Sequence, residues 1–209
     1  ALDELKDLSP AAIILSGGPA SVGEPDSPGI DPEIFQWGIP ILGICYGMQL
    51  IAHILHGKVT PARDREYGRS ELEIISDSPL WEGVQVKDTL TVWMSHGDTV
   101  LMPPAGFDVL AKTESIDVAA IGNREKRIYA LQFHPEVAHT EHGDKIISNF
   151  LFKIAKLSPT WSMSSFIDST IKNIQEQIGE DRVVCAISGG IDSTVVAVLL
   201  NKAIGKRLH

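Results

Sequence analysis

Short apolar segments separated by turn residues recur between residues 11 and 133 of the chain. Continuous apolar runs of this length, bounded by glycine, proline or polar residues, are typical of buried strands. Turn pairs such as Pro103-Pro104 and Gly122-Asn123 connect several of the runs and favour antiparallel neighbours. We therefore predict strands at Ala11–Leu15, Ile39–Ile44, Leu72–Ile75, Leu90–Met94, Val109–Lys112, Val118–Ile121 and Tyr129–Phe133.

Helical periodicity appears in four other segments. Between residues 144 and 155, for example, the apolar positions share one face of a helix. Alternation of strands and helices indicates the α/β class. The predicted helices are Met48–Leu55, Asp144–Ala155, Ser164–Ile178 and Thr194–Ile204.

A change in pattern at residues 157–161 predicts a domain boundary, which divides the chain into domains 1–157 and 158–209. The second segment reads as a helix, a strand at Val183–Ile187, a glycine-rich loop and a helix. About 50 residues with these elements cannot close a sheet. We therefore expect the second domain to be truncated.

Composition narrows the function classes. The 209 residues carry a net charge of −9 and 44% hydrophobic residues, typical of a globular protein and unfavourable for binding nucleic acid or an anionic membrane. Cys45 and Cys185 stand apart and outside any CxxC pair, which argues against a zinc site or a disulfide framework. We find no signal peptide and no apolar run of transmembrane length, and we expect a cytoplasmic protein.

Cys45 lies in the sequence Gly43-Ile44-Cys45-Tyr46-Gly47, between a predicted buried strand and a predicted helix. This pattern is typical of a nucleophile elbow, with cysteine in place of serine. We expect the helix N-terminus to lower the thiol pKa, and the N–H of Tyr46 to point at a developing oxyanion. The alternative is an inert core thiol, since free cysteines are often buried.

A cysteine nucleophile needs a base, and the base needs an orienting group. Of the seven histidines, His96 and His134 are the serious candidates. His134 follows a predicted strand and precedes Pro135-Glu136, so Glu136 is placed to orient its ring. By itself a His-Pro-Glu tripeptide is a weak signal, and it gains weight only from the elbow.

Ser188-Gly189-Gly190-Ile191-Asp192-Ser193 follows the last predicted strand and opens the last predicted helix. Glycines and hydroxyls at a helix N-terminus form a phosphate cradle. The loop lacks the Gly-Lys-Ser/Thr signature of a Walker A motif. The alternative is an ordinary glycine-rich turn.

The elbow with Met48-Gln49, together with Phe133-His134-Pro135-Glu136, resembles the class I glutamine amidotransferases. Two further motifs, Ser16-Gly17-Gly18-Pro19 and Ser95-His96-Gly97-Asp98, occur in the family's order. The resemblance implies an open, mixed, mainly parallel sheet with flanking helices, lacking here the family's first strand. It also implies the site roles that follow: catalytic Cys45, His134 and Glu136; an oxyanion hole at Gly18 and Tyr46; and glutamine binding by Gln49, Ser95, His96, Gly97 and Asp98.

The loop at residues 188–193 resembles the SGGxDS loop of the ATP pyrophosphatases. That resemblance implies ATP binding by Ser188, Gly189, Gly190, Ile191, Asp192 and Ser193, with Asp192 near Mg²⁺ and no organic cofactor. A triad glutaminase followed by such a loop resembles the glutamine-hydrolysing GMP synthases. It implies the substrates glutamine, ATP and XMP, and a homodimer formed through a region beyond residue 209.

Three other interpretations remain. They are a different amidotransferase, a different ATP pyrophosphatase such as NAD synthetase, and a non-catalytic module with an inactive glutaminase. A charged group formed by Arg63, Arg65, Glu66 and Arg69 is either a solvated loop or a contact with the synthetase domain.

Overall fold

The computed structural model describes residues 2–84, 89–159 and 162–209, without the side chains of residues 63–65 and 165. The chain divides into two compact units, residues 1–158 and 159–209. The charged side chains of Arg63 and Arg65 lie outside the described part, so the contact hypothesis for that group stays a prediction. Among the described helices, none is long and apolar enough to cross a membrane.

A seven-stranded sheet forms the centre of the first unit, in the order β1-β2-β7-β6-β5-β3-β4. Fully buried apolar runs such as Ile41–Ile44 and Ile128–Leu131 form strands because they fill both faces of the sheet. The strands are β1 Ile13–Leu15, β2 Ile41–Ile44, β3 Lys58–Ile74, β4 Leu90–Met102, β5 Asp108–Lys112, β6 Ala120–Asn123 and β7 Ile128–Leu131.

The predicted α/β class with a mixed sheet is confirmed, but its parallel part is smaller than expected. Only β1 with β2 and β2 with β7 pair in parallel, and the other four neighbouring pairs are antiparallel. Short connections explain the difference, because β5, β6 and β7 follow one another through short turns that permit only antiparallel pairing. The parallel strands β1, β2 and β7 end just before Gly17, Cys45 and His134, three of the residues around the candidate site.

Five α-helices are present in the described residues. Helix α2 packs on the sheet face that carries Ile41 and Ile128, and Ile146 of α3 belongs to the core on the opposite face. Neighbouring strand residues alternate between the two cores, as the pleat requires. The helices are α1 Leu2–Asp7, α2 Tyr46–Ile54, α3 Gly143–Ser148, α4 Met163–Ile178 and α5 Ile191–Ile204, and short 3₁₀ segments occupy Pro32–Gln36, Pro79–Trp81 and Gly205–Arg207.

The predicted helix at 144–155 is only partly α-helical, since α3 continues as a π-helix over Asn149–Ile154. The Ala155 N–H donates to the carbonyl of Phe150, five residues back. The wider turn lets Asn149 face inward, where its amide nitrogen donates to the carbonyls of Leu80 and Glu82 at 2.8 Å each. Buried polar groups require such partners, and these bonds offset the poorer π geometry.

The second unit contains α4, an extended segment and α5. The strand predicted at Val183–Ile187 is wrong as a continuous strand, because only Val183 forms a bridge, to Leu208. Backbone hydrogen bonds join residues 183 and 185 to residues 207 and 209, and no other described residue pairs with this segment. A strand needs a partner along its length, and three partner residues do not supply one.

Candidate active site

The elbow at Cys45 forms where β2 meets α2. Cys45 has φ 51° and ψ −105°, a conformation that a non-glycine residue adopts only when its surroundings hold it there. Its N–H donates to the carbonyl of Leu131 at 2.7 Å, which ties the elbow to the end of β7. The chain therefore presents the thiol at the carboxyl ends of two neighbouring parallel strands, where open α/β sheets carry their ligands.

Two glycines make the sharp turn possible. A Cβ on Gly47 would lie 2.1 Å from the carbonyl oxygen of Leu15, and one on Gly43 would lie 2.7 Å from the carbonyl oxygen of Gly47. Real Cβ atoms do not approach oxygen so closely. Both positions therefore need glycine for close backbone packing between β1, β2 and α2.

His134 lies just beyond β7 and is held by its backbone. Its N–H donates to the carbonyl of Trp93 on β4 at 3.0 Å, and its own carbonyl accepts from the Thr140 hydroxyl at 2.6 Å. Thr140 also accepts the N–H of Trp93 at 3.0 Å. The sequence gives no signal for this role of Thr140, which lies in a polar loop.

The ring of His134 is oriented by Glu136. Nδ1 of His134 lies 2.7 Å from Oε1 of Glu136, so Nδ1 carries the proton that it donates to the carboxylate. Nε2 of His134 is buried and has no hydrogen-bond partner among the described residues. This arrangement leaves Nε2 with a free lone pair, which is what a general base requires.

Gly17 lies beside the side chains of both Cys45 and His134. A Cβ on Gly17 would lie 2.8 Å from Cε1 of His134 and 3.5 Å from Cβ of Cys45. The Cys45 Sγ itself lies 3.5 Å from the carbonyl oxygen of Ser95 and, among the described atoms, makes no hydrogen bond to His134. The motif around Gly17 is visible in the sequence, but the requirement for glycine at this position follows only from the packing.

The thiol of Cys45 is protonated at neutral pH. The pKa of Cys45 is raised to about 11, because burial raises it most, the negative charge of Glu136 adds to the rise, and the N–H of Tyr46 offsets only part of it. The net lowering of the thiol pKa that we expected is therefore wrong, although the Tyr46 N–H at the helix N-terminus acts in the lowering direction. Loss of hydration outweighs the dipole because the residue is almost completely excluded from water.

A pocket of about 700 Å³ opens in front of Cys45. Its volume suits a small polar ligand. Eight of the predicted site residues line it, and Tyr46 and Glu136 are not among its lining residues. The eight are Gly18, Cys45, Gln49, Ser95, His96, Gly97, Asp98 and His134.

The predicted glutamine-binding residues 95–98 belong to strand β4 and not to a loop. Gln49 is buried, and its amide nitrogen donates to the carbonyl of Asp98 at 2.8 Å. The carboxylate of Asp98 accepts from the Ser21 hydroxyl at 2.5 Å. Ser21 was not among the predicted site residues, because its loop has no recognisable pattern beyond the preceding Ser-Gly-Gly-Pro motif.

In the second unit, the loop before α5 is exposed and held by its own hydroxyls. Ser188 Oγ lies 3.1 Å from Ser193 Oγ, and the hydroxyls of Ser193 and Thr194 donate to the carbonyl of Gly190 at 3.0 and 2.9 Å. Gly189 has φ +83°, a region that favours glycine. The loop wraps the N-terminus of a 14-residue helix, an arrangement suited to phosphate.

Asp192 is exposed in the first turn of α5. Among the described residues, no three His, Cys, Asp or Glu side chains come together to hold a metal ion. A single carboxylate fits Mg²⁺ that arrives with a nucleotide, because such ions take most of their ligands from phosphate and water.

Comparison with known proteins places the first unit in a family. Residues 1–154 match the family model for class-I glutamine amidotransferases, and residues 163–209 match the model described as NAD synthase. The chain belongs to the class-I glutamine amidotransferase family. The resemblance drawn from the four motifs is thereby confirmed.

Curated relatives match along the whole chain. A glutamine-hydrolysing GMP synthase from Nitratidesulfovibrio vulgaris is 56% identical over 207 residues, covering 99% of this chain and 40% of the relative. One from Maridesulfovibrio salexigens is 58% identical over 206 residues, covering 99% of this chain and 40% of the relative. The chain thus spans 40% of the length of these relatives.

Solved structures support the fold. A protein from Thermoplasma acidophilum, provisionally assigned as part of a GMP synthase, has a TM-score of 0.61 at 28% identity and covers 84% of this chain and 81% of its own. A glutamine amidotransferase from Thermotoga maritima has a TM-score of 0.54 at 22% identity, with coverages of 92% and 77%. The second likeness concerns the fold alone.

Proposed function

We propose that this chain is part of an enzyme that makes GMP from XMP, using glutamine as the nitrogen donor and ATP as the activating substrate. The observation that carries the proposal is the pocket lined by Cys45 and His134. Nε2 of His134 has no partner among the described residues, and Glu136 orients the ring. The loop at residues 188–193 further along the same chain supports the use of ATP. The GMP synthases that match the whole chain support the choice of XMP.

In the proposed glutaminase reaction, His134 Nε2 takes the thiol proton of Cys45 as Sγ attacks the side-chain amide carbon of glutamine. The N–H groups of Gly18 and Tyr46 stabilise the oxyanion. His134 then returns the proton to the leaving nitrogen, and ammonia departs. Water hydrolyses the thioester, which releases glutamate and restores the thiol.

Glu136 keeps the proton on Nδ1 of His134 and stabilises the imidazolium that forms. Since the thiol has a pKa of about 11 before substrate arrives, the thiolate forms only as the proton moves to His134. Gln49 and the strand residues Ser95–Asp98 bind the amino-acid end of glutamine. The Asp98 carboxylate supplies a negative charge that suits an α-ammonium group.

In the proposed synthetase reaction, the loop at 188–193 binds the pyrophosphate part of ATP. Asp192 would hold the Mg²⁺ that accompanies the nucleotide and offsets its phosphate charge. ATP adenylylates the C2 oxygen of XMP with release of pyrophosphate. Ammonia from the first site then displaces AMP to give GMP. We place the XMP site and a homodimer contact outside these 209 residues, as the family resemblance implies.

The family match of residues 163–209 to NAD synthase favours a second candidate, a glutamine-dependent NAD synthetase. The two candidates share the ATP loop and differ in the acceptor of ammonia. The relatives that match both units together favour GMP synthesis. Both cysteines are free thiols, which accords with a reducing cytoplasm for either candidate.

The test uses the full-length protein with glutamine, Mg-ATP and XMP. We expect GMP, AMP, pyrophosphate and glutamate in equal amounts, and no product when deamido-NAD replaces XMP. Cys45→Ala should abolish glutamate release but retain GMP formation from added ammonia. Cys185→Ala, which changes the other free thiol, is the matched control and should keep both activities. Glutamine-dependent GMP formation by Cys45→Ala would contradict the mechanism, and absence of GMP from the wild type would contradict the assignment.

A further inference from the structure

Glu66 and His96 form a buried pair beside the pocket. They lie directly opposite each other on the antiparallel strands β3 and β4, and Nε2 of His96 is 3.2 Å from Oε2 of Glu66. The His96 side chain is 0% exposed and that of Glu66 10%. Glu66 therefore does not lie in a solvated loop, which was one of the two interpretations of the charged group that contains it.

Both ring nitrogens of His96 lie within hydrogen-bond distance of a partner. Nδ1 lies 2.9 Å from the carbonyl oxygen of Asp98, which can only accept, so Nδ1 carries a hydrogen. Nε2 lies 3.2 Å from the Glu66 carboxylate. Both ring nitrogens are therefore occupied, and His96 has no free position with which to act as a base toward a substrate.

Strand residues 95–98, which His96 anchors, touch several parts of the site. The carbonyl of Asp98 accepts from His96 and from the Gln49 amide, and the Asp98 carboxylate accepts from Ser21. The carbonyl of Ser95 lies 3.5 Å from Sγ of Cys45. A displacement of this strand segment would therefore disturb the proposed subsite for the amino-acid end of glutamine.

Three hydroxyl groups also hold the Glu66 carboxylate in place. Its Oε1 accepts from the hydroxyl of Ser115, and from those of Thr113 and Ser70 at 3.3 and 3.4 Å. Residues 113 and 115 lie in the connection between β5 and β6. A buried carboxylate with this many donors is held in one position. Its contact with Nε2 holds the ring of His96 in turn.

We infer that Glu66 and His96 are positioning residues that fix strand segment 95–98 for binding the amino-acid end of glutamine. The inference rests on the proposed glutaminase function. It adds Glu66, which does not line the pocket, as a determinant of glutamine affinity. Because the pair does not touch the scissile amide, its loss should raise KM for glutamine far more than it lowers kcat.

The test compares Glu66→Ala with Glu66→Gln in the full-length protein. The alanine leaves His96 Nε2 without a partner. The glutamine can donate its amide N–H to Nε2 of a neutral His96, whose Nδ1 still donates to Asp98. Glu71→Ala is the matched control, since Glu71 is on the same strand and its carboxylate binds only the exposed hydroxyls of Thr89 and Thr91 among the described residues.

We expect Glu66→Ala to raise KM for glutamine about tenfold, a typical effect of an unpaired buried polar group. Its kcat should change less than about threefold, and its ammonia-dependent rate should not change. Glu66→Gln should stay within about twofold of wild-type KM, and Glu71→Ala should match the wild type. An unchanged KM in Glu66→Ala would overturn the inference, as would a fall in kcat at unchanged KM, or a Glu66→Gln variant as impaired as the alanine.

A second measurement separates this inference from the proposed function. Iodoacetamide modifies the Cys45 thiol without using an amino-acid subsite, and glutamine protects the thiol only when it is bound. The protecting concentration of glutamine should rise about tenfold in Glu66→Ala, while the unprotected rate stays within about twofold, provided that circular dichroism shows a folded protein. Wild-type Cys45 that glutamine fails to protect would overturn the proposed function itself. Protection of wild type and Glu66→Ala at equal glutamine concentrations would overturn only the inference.

Discussion

Two opposing effects act on the thiol of Cys45. The N-terminus of α2 and the N–H of Tyr46 favour the thiolate, and removal from water favours the thiol. Burial is the larger effect, so the pKa rises to about 11. The thiol of Cys45 therefore reacts only slowly with electrophiles while it stays protonated, and in the proposed mechanism His134 removes that proton.

This balance predicts the pH dependence of Cys45 alkylation by iodoacetamide. Only the thiolate reacts, and below the pKa its fraction rises about tenfold for each pH unit. Because the pKa is raised, we expect the rate at Cys45 to keep rising from pH 7 to about 11. Peptide mass spectrometry distinguishes Cys45 from Cys185. A plateau at Cys45 below pH 9 would show that the helix terminus, and not burial, controls the thiol.

Gly17 controls the position of the base. In Gly17→Ala the new Cβ would meet Cε1 of His134 at 2.8 Å, so the ring must move. A displacement of about 1 Å costs on the order of 100-fold in rate, and we expect a glutaminase loss of that size with the protein still folded. Gly23→Ala is the control in the same loop, because a Cβ there has nothing within 4 Å. Equal activity of the two variants would contradict the packing argument.

At the scale of elements, the junction of β1, β2 and α2 holds the nucleophile in its strained conformation. The Cys45 φ of 51° is maintained because the backbone on both sides cannot relax. On one side the Cys45 N–H is bonded to Leu131, and on the other Gly47 packs against Leu15. The elbow is therefore a property of three elements in contact and not of its five residues alone.

Replacement of Gly47 tests this junction. In a free helix, glycine to alanine stabilises by about 1 kcal/mol. In this protein the added Cβ would lie 2.1 Å from the Leu15 oxygen, so β1 must shift. We expect Gly47→Ala to lower the free energy of unfolding by about 1–3 kcal/mol, measured by urea denaturation. Gly29→Ala, where a Cβ meets nothing within 4 Å, should lower it by less than about 0.5 kcal/mol. A higher free energy of unfolding in Gly47→Ala would show that β1 can move away from the added Cβ without cost.

At the scale of the whole molecule, the two units differ in how much core they contain. The first unit has buried clusters on both faces of its sheet. In the second, Ala203 and Ile204 are the buried apolar residues among those described, while Val184 and Ile191 are each 83% exposed. Hydrophobic burial is the main source of folding stability, so the units should differ greatly in independent stability.

We expect residues 1–158, expressed alone, to unfold cooperatively with a midpoint within about 4 °C of the whole chain, since a change of 1 kcal/mol shifts the midpoint by a few degrees. Residues 159–209 alone should show no cooperative transition, because about 50 residues with so little core are below the usual limit of stability. Thermal circular dichroism measures both. A sharp transition in the short fragment would contradict this account.

The sequence alone determined the local features of the site. Glycine spacing around Cys45 and the His-Pro-Glu tripeptide singled out Cys45, His134 and Glu136 because these signals lie in short segments. Local apolar patterns likewise predicted α2 and parts of most strands, but they missed most of β3, and the strand predicted at Val183–Ile187 does not form. The resemblance to class I amidotransferases rested on four such segments.

Tertiary structure decided what depends on distant residues. The raised pKa of Cys45 follows from burial by the whole core, and the π-helix at Asn149 follows from partners near residue 80. The sequence left Glu66 either in a solvated loop or in a contact with another domain, whereas strand pairing places it against His96, thirty residues away. Periodicity and motifs report a residue's neighbours in sequence. Hydration and hydrogen bonding depend on its neighbours in space, which only the folded chain defines.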